Sequence, residues 1–92
     1  MSIQEMIKKQ DKRIKEQARA LNPQVWVGKN GLTEQVIGQI NKSLKKRKIV
    51  KIKFLKSFLE KNNKKQAAEK LAKFTESEVV DATGFVVVLY KR

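Results

Sequence analysis

The residues Gly28, Lys29, Asn30 and Gly31 are the part of this sequence whose types and spacing best suit ligand binding. A short apolar segment precedes them and a helical pattern follows, so they form a loop that joins a strand to a helix. Glycine allows the backbone to turn with φ > 0 and to lie close to a ligand, and the N–H groups at a helix start suit a phosphate. Lys29 adds a full positive charge. The spacing predicts a phosphate-binding loop, while a loop that only turns the chain stays open as the alternative.

Residues that could support catalysis or hold a metal are scarce. The chain contains no cysteine and no histidine, so it lacks a thiolate nucleophile, an imidazole for proton transfer and the commonest zinc ligands. We therefore predict a protein that is not an enzyme and that holds no metal and no cofactor. The segment Met1 to Gln10 lacks the apolar run of a signal peptide, and no stretch is long enough to span a membrane. This predicts a cytoplasmic protein without a membrane partner.

The charge balance indicates the class of partner. The 92 residues include 22 lysines and arginines but nine aspartates and glutamates, which gives a net charge of +13. Such an excess favours a polyanion, and we predict nucleic acid. Eighteen of the basic residues are lysines, which meet phosphates as point charges, whereas the planar arginine side chain reads base edges. We therefore predict recognition of backbone and shape. A basic adaptor that binds an acidic protein partner, and a lysine-rich surface that only faces solvent, are the alternatives.

Hydrophobic periodicity predicts seven elements in the order α-β-α-β-α-β-β. They are a helix over Ser2–Leu21, a strand over Gln24–Val27, a helix from the N-cap Thr33 to Lys48, a strand over Ile49–Phe54, a helix over Asn63–Thr75, and a terminal hairpin of Glu78–Ala82 and Phe85–Tyr90. Leu55 to Asn62 is predicted as a loop, although Ser57 and Glu60 have capping-box spacing, which leaves the start of the third helix open. The fold class is a two-layer α/β sandwich, with a four-stranded mixed sheet, helices on one face and the other face open. Residues 1–92 are predicted to form one monomeric domain.

The predicted topology also places side chains around the loop. A right-handed βαβ crossover makes the first two strands parallel, so their carboxyl ends share one edge and bring Gly28 beside Lys53 and Lys56. Trp26 lies on the opposite face of its strand from Val25. It either stacks on an unpaired base or packs against the protein.

Four segments resemble a known family. They are Leu21-Asn22-Pro23, the stretch from Gly28 to Glu34, the stretch from Ile49 to Lys53 and the ending Val88-Leu89-Tyr90-Lys91-Arg92. Together, in this order, they are similar to the CRM domain family of YhbY-like proteins.

The resemblance implies an RNA-binding domain with the fold of the C-terminal domain of translation initiation factor 3. It further implies ribosomal RNA or a precursor large ribosomal subunit as the partner, because stand-alone members are linked to such precursors. Of the candidate RNA-binding residues, Gly28 to Gly31 match the family's proposed contact motif. Trp26 stands where the family usually has an aliphatic residue, and Lys53 and Lys56 come from the predicted topology alone.

Overall fold

The structure is a computed structural model that describes residues 12–91. Its helices are α1 (Lys12–Ala20), α2 (Glu34–Arg47), α3 (Lys56–Leu59) and α4 (Lys64–Phe74), and its strands are β1 (Val25–Val27), β2 (Ile49–Phe54), β3 (Glu78–Thr83) and β4 (Val86–Tyr90). The predicted first helix is therefore seen over its second half, and its start at Ser2 lies outside the described residues. Within residues 12–91, no helix combines the length and the apolar character that crossing a bilayer requires.

The four strands form one mixed sheet in the order β1-β2-β4-β3. β1 and β2 are parallel, with Val25 opposite Ile52 and Val27 opposite Phe54, and β4 is antiparallel to both of its neighbours. The predicted α/β class with a mixed four-stranded sheet is confirmed. β4 lies inside the sheet, which explains why it is apolar on both of its faces.

The larger core lies between one face of the sheet and the helices α2 and α4. Ile40 of α2 and Leu71 of α4 are fully buried there, against Ile52 and Phe54 of β2. Each large apolar side chain removed from water in this way stabilises the fold by about 1.5–3 kcal/mol. This layer fixes the direction of α2 and α4, so both helices begin at the edge where β1 and β2 end.

The first helix covers the opposite face of the sheet. Ala18 of α1 is 2% exposed and packs with Ile49, Val80 and Val88, which form a separate apolar cluster. The prediction that the helices share one face and leave the other open is therefore wrong for α1. A helical stripe shows that one side of the helix is buried, but it does not show which face of the sheet buries it.

Lys51 holds the end of α1 on this second face. Its Nζ donates to the carbonyl oxygens of Ala18 at 3.2 Å and Leu21 at 3.0 Å. These are carbonyls that a helix end leaves without intrahelical partners, and a cation there also complements the negative end of the helix dipole. Lys51 is half-buried and thus has a structural role, in contrast to its exposed neighbour Lys53.

Replacing Lys51 by methionine should loosen α1 without unfolding the sheet. The variant loses the two hydrogen bonds to the end of α1, and we expect a cost of about 1 kcal/mol. The measurement is amide hydrogen exchange over Lys12–Ala20, which should become about fivefold faster. Lys53→Met is the matched control, because it removes the same charge from an exposed position of the same strand. Equal exchange in the two variants would show that the ammonium group does not hold α1.

A short helix occupies part of the segment predicted as a loop. α3 spans Lys56–Leu59, and its Phe58 is buried and stacks on Phe54 with ring centroids 5.1 Å apart. The predicted loop over Leu55–Asn62 is therefore wrong in its first half. The main third helix begins after Asn63, whose side chain accepts a hydrogen bond from the Gln66 N–H at 3.1 Å, within one residue of the predicted start.

Candidate nucleic-acid interface

The loop between the two glycines is a tight turn with an exposed corner. The Gly31 N–H donates to the Gly28 carbonyl at 2.9 Å, which closes a four-residue turn and places Lys29 and Asn30 at its centre. Both side chains are exposed. Gly31 has φ +74, a conformation that costs other residues energy and that glycine adopts freely.

Gly28 lies in close contact with the segment that follows β2. A Cβ at this position would lie 3.1 Å from Cδ1 of Leu55, and the Leu55 N–H donates to the Val27 carbonyl at 2.8 Å. The chain after β2 thus passes directly beneath the loop. The expectation of φ > 0 holds for Gly31, whereas Gly28 provides space for a close approach.

The positive potential at the start of α2 is offset by an acidic residue. Thr33 caps the helix as predicted, and its Oγ1 accepts from the Val36 N–H at 3.1 Å. Glu34 lies exposed in the first turn, and its full negative charge outweighs the positive end of the helix dipole, which is equivalent to roughly half a positive charge. Attraction of a phosphate must therefore come mainly from lysine side chains near the turn.

The predicted site residues lie at and beside the same edge of the sheet. Trp26 is directly opposite Lys53 in the parallel register, so both exposed side chains are on the second face, with their strands about 4.8 Å apart. Strand geometry then places the Lys53 backbone about 8 Å from Gly28. Lys56 follows Leu55 at the start of α3 and is exposed at the edge itself. Within the described part of the chain, none of these lysines is paired with a carboxylate.

The environment of Trp26 bears on the choice between stacking and packing. The side chain is 53% exposed, although its neighbours Val25 and Val27 are buried in the first-face core. An indole with half of its surface in water can accept a base without rearrangement of the core. The indole is therefore accessible to a base, and stacking of Trp26 stays a prediction.

Beside the loop is a cleft that the sequence patterns do not predict. It has a volume of about 310 Å³ and separates the loop from the start of α4. Its walls include Gly31, Leu32, Phe58, Lys61, Gln66 and Lys70. A partial signal is present in the sequence, since the first turn of α4 contains no acidic residue, contrary to the usual preference at a helix start.

Comparison with known proteins identifies relatives over nearly the whole chain. The sequence model of the CRS1 / YhbY (CRM) domain matches residues 6–91. The chain is 40% identical over 83 residues to the Probable RNA-binding protein MJ0652 of Methanocaldococcus jannaschii, which covers 90% of this chain and 61% of that protein. It therefore spans less than two thirds of the length of this relative. It is 35% identical over 83 residues to the Probable RNA-binding protein YqeI of Bacillus subtilis, covering 90% of this chain and 84% of that protein.

A solved structure has a similar fold. The solution structure of the hypothetical protein SAV1595 from Staphylococcus aureus superimposes with a TM-score of 0.72 at 30% sequence identity. The similarity covers 91% of this chain and 85% of that one.

Proposed function

The chain belongs to the CRS1 / YhbY (CRM) domain family, and from this premise we propose that it is a non-enzymatic RNA-binding protein that recognises structured RNA through the Gly28–Gly31 loop and the basic surface beside it. The names of its relatives support RNA as the partner. We take residues 1–92 to act as one monomeric domain, without a metal or a cofactor.

The observation that carries the proposal is the parallel pairing of β1 with β2. It brings the exposed turn at Lys29 to the same edge of the sheet as Lys56 and next to Lys53. An RNA backbone that lies along this edge meets three positive charges from two segments that are distant in the sequence, the loop at Lys29 and the end of β2 with the start of α3. The turn itself is held by Gly31 and by the close approach of Leu55 to Gly28. Because the turn is already ordered, RNA binding loses little conformational entropy there.

The types of side chain at this edge determine how RNA is recognised. Lysines interact with phosphates as point charges and do not distinguish bases. Trp26 can also stack on an unpaired base. Every base has a flat face for stacking, and such contacts are worth about 1–3 kcal/mol per base. The protein therefore selects RNA by backbone path and unpaired positions.

Within this function, we infer a role in assembly of the large ribosomal subunit, with ribosomal RNA or a precursor subunit as the target. The support is the family resemblance of the loop and of the segments around β2 and β4.

The test is ultraviolet crosslinking of the protein to RNA in its own cells, followed by sequencing of the attached fragments. We expect enrichment of large-subunit ribosomal RNA over messenger RNA, because the proposed target is ribosomal RNA or a precursor of the large subunit. The matched control is the Lys29→Asp, Asn30→Asp variant, which should lose most of this enrichment. Crosslinks spread evenly over cellular RNA would contradict the assembly role, and recovery of an acidic protein in place of RNA would support the adaptor alternative.

A further inference from the structure

We propose that the cleft between the loop and α4 binds one unpaired nucleotide of a structured RNA. The inference rests on the proposed RNA-binding function and deepens it, because it adds a site that recognises an interruption in a duplex. The observation that supports it is an open cleft with a small apolar patch at its base, polar and cationic side chains around it, and a wall shared with the loop.

The size of the cleft fits a single nucleotide. Its volume of about 310 Å³ is at the lower end of the range of about 300–1,000 Å³ that is typical of small-molecule pockets. Phe58 and Ala67, which are largely buried, and partly buried Leu32 leave a small apolar patch at the base of the cleft that a base can contact. The cavity is too small for a base pair, so a nucleotide that enters it must first leave its pair.

The rim offers groups that suit the rest of a nucleotide. Gln66 is exposed there, and its amide can both donate to and accept from a base edge. The Nδ2 of Asn62 donates to the Phe58 carbonyl at 3.0 Å, which fixes the side chain and leaves its carbonyl oxygen to accept from a base or from a ribose 2′-hydroxyl. Lys61 and Lys70 are exposed lining residues and can neutralise the adjoining phosphates.

The electrostatic environment also favours an anion. Lys64 and Lys65 occupy the first turn of α4, and this turn contains no acidic residue. Cations at this end oppose the helix dipole, whereas anions are stabilised there. The lining residues of the cleft within the described part of the chain include no carboxylate. Here the absence of an acid leaves the positive potential intact, in contrast to the start of α2, where Glu34 reduces it.

The position of Gly31 connects the cleft with the loop. It ends the turn with φ +74 and also forms part of the cleft wall. A nucleotide in the cleft therefore keeps its flanking phosphate close to the turn that carries Lys29. One RNA strand can occupy both sites without a change of direction.

The test compares two RNA hairpins that differ by one bulged nucleotide in an otherwise identical stem. We expect the wild-type protein to bind the bulged hairpin about fivefold more tightly. Lys70→Gln should remove this preference, and Lys73→Gln is the matched control, because it removes the same charge from an exposed position of α4 outside the cleft. Gln66→Trp, which fills the cleft without a charge change, should also remove the preference and leave affinity for the paired hairpin within twofold.

The outcomes separate this inference from the proposed function. Binding of both hairpins with equal affinity would overturn the cleft site and leave RNA binding in place, whereas binding of neither would overturn both. Retention of the preference in Lys70→Gln would also overturn the cleft site. If Gln66→Trp fails to fold in a thermal melt, Lys70→Gln alone tests the cleft site. Displacement of the bulged hairpin by micromolar nucleoside 5′-monophosphate would reassign the cleft to free nucleotides.

Discussion

Replacing Lys29 and Asn30 together by aspartate is expected to weaken RNA binding at least tenfold, which corresponds to about 1.4 kcal/mol. The change removes one positive charge and adds two negative charges at the exposed corner of the turn closed by Gly28 and Gly31. If the turn lies against a phosphate, the new carboxylates repel it at close range. If the turn only reverses the chain, both aspartates are solvated and affinity changes little, because turns accommodate aspartate.

Filter binding of both proteins at matched salt measures this effect, and thermal melts verify folding. We expect the melts to agree closely, since acidic residues near the start of α2 are neutral or mildly favourable there. The charge-matched control compares Lys29→Asp with Lys73→Glu, each of which reverses one exposed charge. Lys73 lies about 14 Å along the axis of α4 from its first residue, away from the loop. An unchanged affinity of the loop variant with a normal melt would remove the loop from the interface.

The sheet and the loop could be predicted because their determinants are local. β2 alternates apolar residues with lysines, and a helix separates it from β1, which is enough to predict a parallel βαβ unit. The terminal hairpin turns at Gly84, where φ is +58, and glycine there is a strong hairpin signal. The roles of the loop glycines are also local. Gly31 adopts a positive φ, and Gly28 contacts Leu55, which follows the neighbouring strand β2.

The side of the sheet that α1 covers depends on information outside that helix. Ile49 is an apolar residue on the face that otherwise carries Lys51 and Lys53, and Val88 lies opposite Lys51 on the same face. These residues form a small apolar surface that a helix must cover. The apolar pattern of β4 on both faces contained this signal, but only the register of β4 against β2 shows where the surface lies.

The cleft could not be predicted because no single segment forms it. Its walls come from the loop at Gly31, from the end of α3 and from the first turns of α4, and α3 was itself predicted as a loop. The burial of Phe58 against Phe54 brings these segments together. The cleft thus depends on tertiary contacts that periodicity and propensity do not encode.

The dependence of RNA affinity on salt is expected to be the largest effect that can be measured on the wild-type protein. Five lysines line the candidate interface when the cleft is included, namely Lys29, Lys53, Lys56, Lys61 and Lys70. Each neutralised phosphate contributes roughly 0.7 for a single strand to 0.9 for a duplex to the slope of log affinity against log salt. Five such contacts give a slope of about 3.5–4.5, so a fourfold rise in salt should lower affinity about 100- to 500-fold.

Sequence dependence should be weak in the same experiment, because lysines, which meet phosphates mainly as point charges, dominate this surface. Titrations at several salt concentrations with two hairpins of equal shape and different stem sequence test both statements. We expect parallel lines on the logarithmic plot, separated by less than about threefold, which is under 1 kcal/mol. A slope near one would mean that a single lysine meets phosphate, and lines far apart would mean that stem bases are read directly.

In the variant Lys56→Gln the slope should fall by the contribution of one phosphate, which links the measured number to a named side chain at the edge of the sheet.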